Sequence, residues 1–310
     1  MTNFSELNKV RDILKQTDYR TLSNILDSYL PNIPASILEF ENNQSELNQP
    51  ENGGMNMLYR ARMIDETRVP YQTVEEISYI PENKKHLIKF YGRVNKPGES
   101  MFYASTELGT ACVETFSKGE NYNVLKKKGS LMLVVGTWKI EKPLTLAHMA
   151  SPEQYFSRFL EEAKSLNLKK ITLKQVQEQN NHLKKMFEGN EGYEILNFFS
   201  EEFAKTDTID HNEHKISNYY ADIVFDRNPK TKMQGGSVDG IWYPSVPAGY
   251  QENNIVLRPE IVDKKLKFAW AELVWVTYSV ETKQIQFTPL ERRVHQNHKG
   301  ILQWRAKKVS

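Results

Sequence analysis

Two segments of the chain set chemically capable side chains among residues that shape the backbone. The first is Tyr91-Gly92-Arg93-Val94-Asn95-Lys96-Pro97-Gly98. It runs into a strand, Ser100 to Ser105, and then a helix, Thr106 to Ser117, that carries Glu114. Gly, Asn, Pro and Gly crowded beside an arginine make a shaped turn, which holds Arg93 while the strand presents Tyr103. The second segment is Val238-Asp239-Gly240-Ile241-Trp242-Tyr243-Pro244-Ser245-Val246-Pro247, a short strand emerging at Ser245 with two prolines stiffening its exit. An arginine offers a planar, permanently charged fork for anions. A tyrosine ring offers a face to a cation. A carboxylate stabilises a centre that gains positive charge in a transition state, and a serine hydroxyl can hold a reactant in place. From the residues alone a plain structural reading competes at each position. Arg93 can pair with a carboxylate, Tyr103 can be core, Glu114 can face solvent and Ser245 can cap a turn.

Other familiar constellations are missing. No GxGxxG follows a strand, and there is no GxxxxGK[ST], HExxH or GxSxG. His211-Asn212-Glu213-His214 has a spacing that suits a metal, but it lies in a polar stretch without a third ligand and reads as a solvated helix start, so no metal is expected. Lys126-Lys127-Lys128 reads as a solvated turn before a strand.

The elements that must position these residues follow from periodicity. Phe4, Leu7, Val10 and Leu14 form one helical stripe, and Leu22, Ile25, Leu26, Tyr29 and Leu30 form another, so residues 1–40 are expected to hold two or three amphipathic helices. Residues 41–56 are nearly free of large apolar groups and end in Gly53-Gly54 before Met55, which sets a boundary between a helical N-terminal extension, 1–50, and a strand-rich domain, 51–310. Strands are expected at 58–63, 100–105, 131–138, 240–243, 254–257, 271–278 and 284–287. The helix at 106–117 has Thr106 as its cap and Leu108, Ala111, Cys112 and Phe116 as its apolar face. Capping boxes at 151–154 and 172–175 open further helices, and two more follow at 195–203 and 216–225. Strands at both ends with helices between them predict an α+β fold.

Composition narrows the function classes. In 310 residues, 41 basic and 39 acidic side chains leave a net charge of +2, which gives no reason to expect a nucleic-acid partner. The single cysteine, Cys112, forms no intramolecular disulfide and suits a reducing cytoplasm. The first residues lack the pattern of a signal peptide, and no apolar run approaches the roughly 20 residues of a bilayer span, so no membrane partner is expected.

Taken together, GRVNKPGESMFYAS, ACVE and GIWYPSV resemble the RES-domain family. That family carries an arginine in a GR-x-N turn, a tyrosine ten residues later, a glutamate in an A-x-x-E helix and a serine in G-x-x-Y-x-S. Arg93, Tyr103, Glu114 and Ser245 match in order, and Leu58-Tyr59-Arg60-Ala61-Arg62 resembles the family's opening strand. The chain departs from compact members in its N-terminal extension, in a helical insertion at about 150–215, and in Pro247, where a basic residue is frequent.

The resemblance implies an ADP-ribosyltransferase-like core, two short β-sheets around an NAD cleft. It implies an enzyme that consumes NAD as substrate, with no further cofactor. The nicotinamide–ribose bond is broken by phosphorolysis or hydrolysis, with inorganic phosphate as a co-substrate in the first case. It also implies a toxin restrained by an Xre-like antitoxin. The alternatives are a mono-ADP-ribosyltransferase acting on a protein and a non-catalytic nucleotide-binding module. In the leading reading Glu114 stabilises the oxocarbenium character at the ribose carbon, with Glu107 as the substitute candidate. Arg93 grips the pyrophosphate, Tyr103 faces the nicotinamide ring and Ser245 orients the ribose or nicotinamide end. Arg60, Arg62 and Asn95 complete the expected NAD-binding set. The extension is expected to regulate rather than catalyse. Its stripes bury against the catalytic domain, a second copy of the chain in a homo-oligomer, or the antitoxin.

Overall fold

The structure is a computed structural model that describes residues 4–30, 32–40, 56–64, 71–116, 119–152, 173–189, 191–205, 211–233, 236–248, 252–282, 284–290 and 293–304. It opens with α1 (Phe4–Ile13), α2 (Tyr19–Tyr29), β1 (Asn32–Ile33), β2 (Ser36–Phe40) and β3 (Met57–Ile64). Then come α3 (Val74–Ile77), β4 (Phe102–Ser105), α4 (Leu108–Phe116), α5 (Gly119–Lys128), β5 (Ser130–Ile140) and β6 (Leu144–His148). The helices α6 (Leu173–Met186), α7 (Gly192–Phe203) and α8 (Lys215–Val224) follow. The last elements are β7 (Lys232–Met233), β8 (Gly240–Pro244), β9 (Asn253–Leu257), α9 (Pro259–Lys265), β10 (Leu266–Tyr278) and β11 (Ile285–Pro289). The α+β class read from the sequence is the one observed. The expected capping boxes at 151–154 and 172–175 rest in part on residues outside those described.

Among the described residues nine strands pair in the order β11-β10-β5-β3-β4-β9-β8-β6-β2. The centre of the first half is β5, where Leu133, Val134 and Val135 are all fully buried. A strand covered on both faces needs such an unbroken apolar run. Eight residue pairs join β3 to β5, but the single pair Tyr59↔Ser105 joins β3 to β4. The sheet is thus a four-stranded half and a five-stranded half meeting at a one-pair waist.

Of these neighbours, β6 and β8 run parallel. Parallel strands need a crossover connection, and α6, α7 and α8 lie within it. The stretch at 150–215 that reads as an insertion is therefore the start of this crossover. It also supplies core: Phe198, Phe199 and Phe203 pack in one cluster with Tyr219 and Tyr220 of α8.

The N-terminal residues join that same cluster. Leu7, Leu22, Leu26 and Leu30 are fully buried beside the α7 and α8 side chains. Arg11 pairs with Glu201 at 2.8 Å and with the fully buried side chain of Glu202 at 2.7 Å. The end of the stretch expected to be helical forms strands instead, at Asn32–Ile33 and Ser36–Phe40. Ser36 to Phe40 pair with Leu144 to His148, and Phe40 packs on Trp242 with ring centroids 4.4 Å apart. Pairing with an available sheet edge outweighs local helical spacing here. Of the three surfaces proposed for the apolar stripes, the one they meet belongs to the rest of this chain. Most of the polar linker lies outside the described residues.

Two smaller expectations also change. Lys126, Lys127 and Lys128 are exposed, but they form the last turn of α5, where cations oppose the negative end of the helix dipole. Gly129, at φ 74°, ends that helix by donating its N–H to the Leu125 carbonyl. His211–His214 is a 3-10 turn before α8, and His214 is buried rather than solvated. Among the described residues no cluster of three or more His, Cys, Asp or Glu side chains is placed to hold a metal, and no helix is long and apolar enough to cross a membrane.

Candidate active site

Glu114 lies on the half-buried edge of α4, whose other face buries Ala111, Cys112 and Phe116. Its neighbour Thr115 donates to the Ala61 carbonyl on β3. Glu114 itself turns to the other half of the sheet. Ser245, fully buried just beyond Pro244, donates its hydroxyl to Glu114 Oε1 at 2.7 Å. The two residues stand 131 positions apart in sequence. Ser245 is fixed there by its backbone N–H, which reaches the Glu252 carbonyl, and by the Ala248 N–H, which reaches its Oγ. Thr106, expected to cap α4, instead donates to the Asn253 carbonyl.

A second donor reaches the same carboxylate oxygen. Asn254, on β9, donates Nδ2 to Glu114 Oε1 at 2.6 Å. The Oδ1 of that amide accepts the Ser105 hydroxyl at 2.6 Å. Ser105 and Asn254 are direct partners in the β4–β9 register, so the sheet itself sets this contact. Among the described residues no bond reaches Glu114 Oε2. Asn254 and Ser105 were not singled out in the sequence. The available signal was an Asn pair opening an otherwise apolar strand, since Asn is depleted in strands.

The Arg93 turn folds around Tyr103. The Tyr103 hydroxyl donates to Asn95 Oδ1 at 2.8 Å and accepts the Val94 N–H at 3.0 Å. A Cβ on Gly92 would stand 2.3 Å from Asn95 Oδ1 and 3.1 Å from the Tyr103 hydroxyl, which is why glycine is needed there. Burial pushes the Tyr103 hydroxyl up to about 12, against the opposing pull of Arg93 and Arg60. Arg93 is itself buried. It donates Nη1 to the Phe203 carbonyl and Nη2 to the Lys205 carbonyl, at the C-terminal end of α7. Neither the carboxylate partner of the plain reading nor an open fork is what the geometry displays. The guanidinium meets the unsatisfied carbonyls and negative dipole of a helix end.

Tyr243 lies between these parts. Burial raises its hydroxyl well above the ordinary value; the Glu114 carboxylate adds to the rise and Arg93 opposes it. Its ring packs 5.4 Å from Phe203, the residue whose carbonyl Arg93 holds. The charges of Glu114 and Arg93 thus both act on one buried tyrosine, two residues before Ser245. The charge of Glu107, the substitute candidate, acts on Tyr59.

Arg60 and Arg62 leave the same face of β3. Arg60 donates to the Tyr103 carbonyl at 2.6 Å, and Arg62 to the Ser78 carbonyl at 2.6 Å. Each keeps a buried Nε without a hydrogen-bond partner. Among the described residues no carboxylate pairs with either. Burial, reinforced by Arg62, lowers Arg60 to about 9, so its cation is held at a cost.

An ion network ties this region to the N-terminal helices. Asp222 of α8 pairs with Lys96 at 2.7 Å and with Arg227 at 3.0 Å, and it accepts the Tyr19 hydroxyl at 2.5 Å. Arg227 also reaches Glu99 at 3.3 Å. The turn that carries Arg93 is therefore braced from α2 and from the end of α8. No protein-family model matches the chain, and no curated protein matches its sequence.

Proposed function

We propose that the chain binds NAD and breaks its nicotinamide–ribose bond, as a member of the RES-domain group with an ADP-ribosyltransferase-like core. The observation that carries this reading is the Ser245–Glu114 hydrogen bond. Two residues chosen from separate motifs meet at 2.7 Å, beside a carboxylate oxygen that no described residue occupies. The one-pair waist supports the two-sheet architecture, with Glu114 on the helix that spans it.

In this reading nicotinamide leaves as a neutral ring, because its nitrogen is already cationic in NAD. The ribose carbon then gains oxocarbenium character, which Glu114 stabilises from Oε2. Water or phosphate forms the new bond to that carbon. Ser245 holds the carboxylate, and Tyr103 lends its ring edge to the nicotinamide pocket. The geometry suggests a change to one expected role. Arg93 organises the end of α7, while Arg60 and Arg62, half-buried cations with no carboxylate partner among the described residues, are better placed to take the pyrophosphate. Restraint by an Xre-like antitoxin and a cytoplasmic setting belong to this proposal.

The test is incubation of the full chain with NAD, with and without phosphate, followed by mass analysis. Free nicotinamide with ADP-ribose indicates hydrolysis, and with the phosphorylated ADP-ribose, phosphorolysis. ADP-ribose attached to protein selects the transferase alternative. No nicotinamide under any condition, with any inhibitor removed, returns the chain to a non-catalytic nucleotide-binding module.

A further inference from the structure

Within the proposed NAD-cleaving site, on which this inference rests, we propose that Asn254 is a positioning residue whose amide, braced by Ser105, decides which oxygen of Glu114 does the chemistry. A free glutamate presents two equivalent oxygens, and each can turn towards a reactant or away from it. Here Oε1 accepts both Ser245 Oγ at 2.7 Å and Asn254 Nδ2 at 2.6 Å. Two donors on one oxygen stop the carboxylate from rotating and leave Oε2 as the oxygen open to the ribose carbon.

An amide can do this only in one of its two orientations. Reversed, Asn254 would set Oδ1 against Glu114 Oε1, acceptor against acceptor. The acceptor-only carboxylate oxygen therefore sets the amide's orientation, and the Ser105 hydroxyl, donating to Oδ1 at 2.6 Å, holds the amide in it. Asn254 is 3% exposed and Ser105 is 2% exposed, so water does not compete for either bond. The β4–β9 register holds the two residues opposite each other, which makes the relay part of the sheet rather than of a loop.

The experiment compares wild type with Asn254→Ala, Asn254→Asp and Ser105→Ala, reading nicotinamide release and thermal melting. Asn254→Ala is expected to lower kcat roughly 10²-fold with little change in KM, since a misplaced catalytic group loses rate rather than binding. Ser105→Ala should lose less. The double variant Ser105→Ala/Asn254→Ala should be no worse than Asn254→Ala, because Ser105 acts through Asn254. Asn254→Asp keeps the shape but sets a carboxylate against Glu114. It should be at least as slow as Asn254→Ala and should melt earlier at pH 8 than at pH 5. Adding Glu114→Gln should restore the melting temperature.

The melting arm needs no activity. If the wild type releases no nicotinamide, the NAD reading falls, while the Asn254→Asp/Glu114→Gln rescue still reports whether the amide holds the carboxylate. An Asn254→Ala protein with wild-type kcat overturns the proposal. So does an Asn254→Asp protein that is faster than Asn254→Ala, or whose melting is indifferent to Glu114→Gln. If Asn254→Ala fails to fold, Ser105→Ala carries the kinetic arm alone, and wild-type turnover in that variant overturns the relay.

Discussion

Glu114 is held on one oxygen by Ser245 and Asn254, so its charge can be removed without removing its place in the fold. Glu114→Gln preserves shape and an acceptor for Ser245 but removes the charge. It is expected to lower kcat by roughly 10²–10³-fold with NAD affinity nearly unchanged, read by turnover and calorimetry. Arg93→Ala is expected to cost stability as well as rate, about 1–3 kcal/mol in denaturant unfolding, because two carbonyls at the end of α7 lose their donor. A stable but inactive Arg93→Ala would return Arg93 to the role of substrate fork. A third prediction concerns His148. Burial, aided by nearby His182, lowers it from 6.5 to about 4. The unfolded chain therefore binds a proton that the folded chain refuses between those values. Its stability contribution is full above pH 6.5 and falls as the pH drops towards 4, by about 3 kcal/mol. His148→Gln should flatten that acid limb in melts taken from pH 7 to pH 4. At this scale turn formers and a strand end marked the segments around Arg93 and Ser245, whereas grouping Arg93, Tyr103, Glu114 and Ser245 as one set rested on the family resemblance. Asn254 and Ser105 were not, because their contact exists only once β4 and β9 are in register. The Arg93 partner was hidden for a similar reason, lying 110 residues away at a helix end.

The helices and strands were legible where one face is apolar and the caps are local, as in α4, α7, α8 and β5. They were illegible where pairing decides, as in β2, whose residues follow no strong alternation and take their conformation from β6. The break in composition at 41–56 predicts two separable pieces, whereas α1 and α2 share a core with α7 and α8. Removing residues 1–55 would strip Leu7, Leu22, Leu26 and Leu30 from that core and leave Glu202, with a fully buried side chain, without Arg11. It would also take Tyr19 from the network that braces the Arg93 turn. The shortened chain is expected to aggregate or lose its far-ultraviolet helical signal and to bind no NAD. A monodisperse, folded and active product, by light scattering and circular dichroism, would show that the extension is dispensable to the site.

Across the whole molecule, periodicity predicts a mixed fold with a strand-rich end but not the order of nine strands. That order depends on partners such as β3 and β5, β4 and β9, or β6 and β8, brought together from distant stretches of chain. Nor did it predict the place where the sheet narrows to Tyr59↔Ser105. That narrowing has a consequence for how the protein breathes. Cooperative opening follows the density of shared bonds, and one residue pair is a thin bond between two well-knit groups of strands. Deuterium uptake by native-state mass spectrometry should therefore sort β5, β3, β10 and β11 into one protection class and β4, β9, β8 and β6 into another. Peptides from α4 belong to both, since adjacent residues there tie one group through Ala61 and the other through Ser245. A nucleotide seated across the waist would couple the two opening equilibria, so its occupancy would be visible as slowed exchange in strands it never touches.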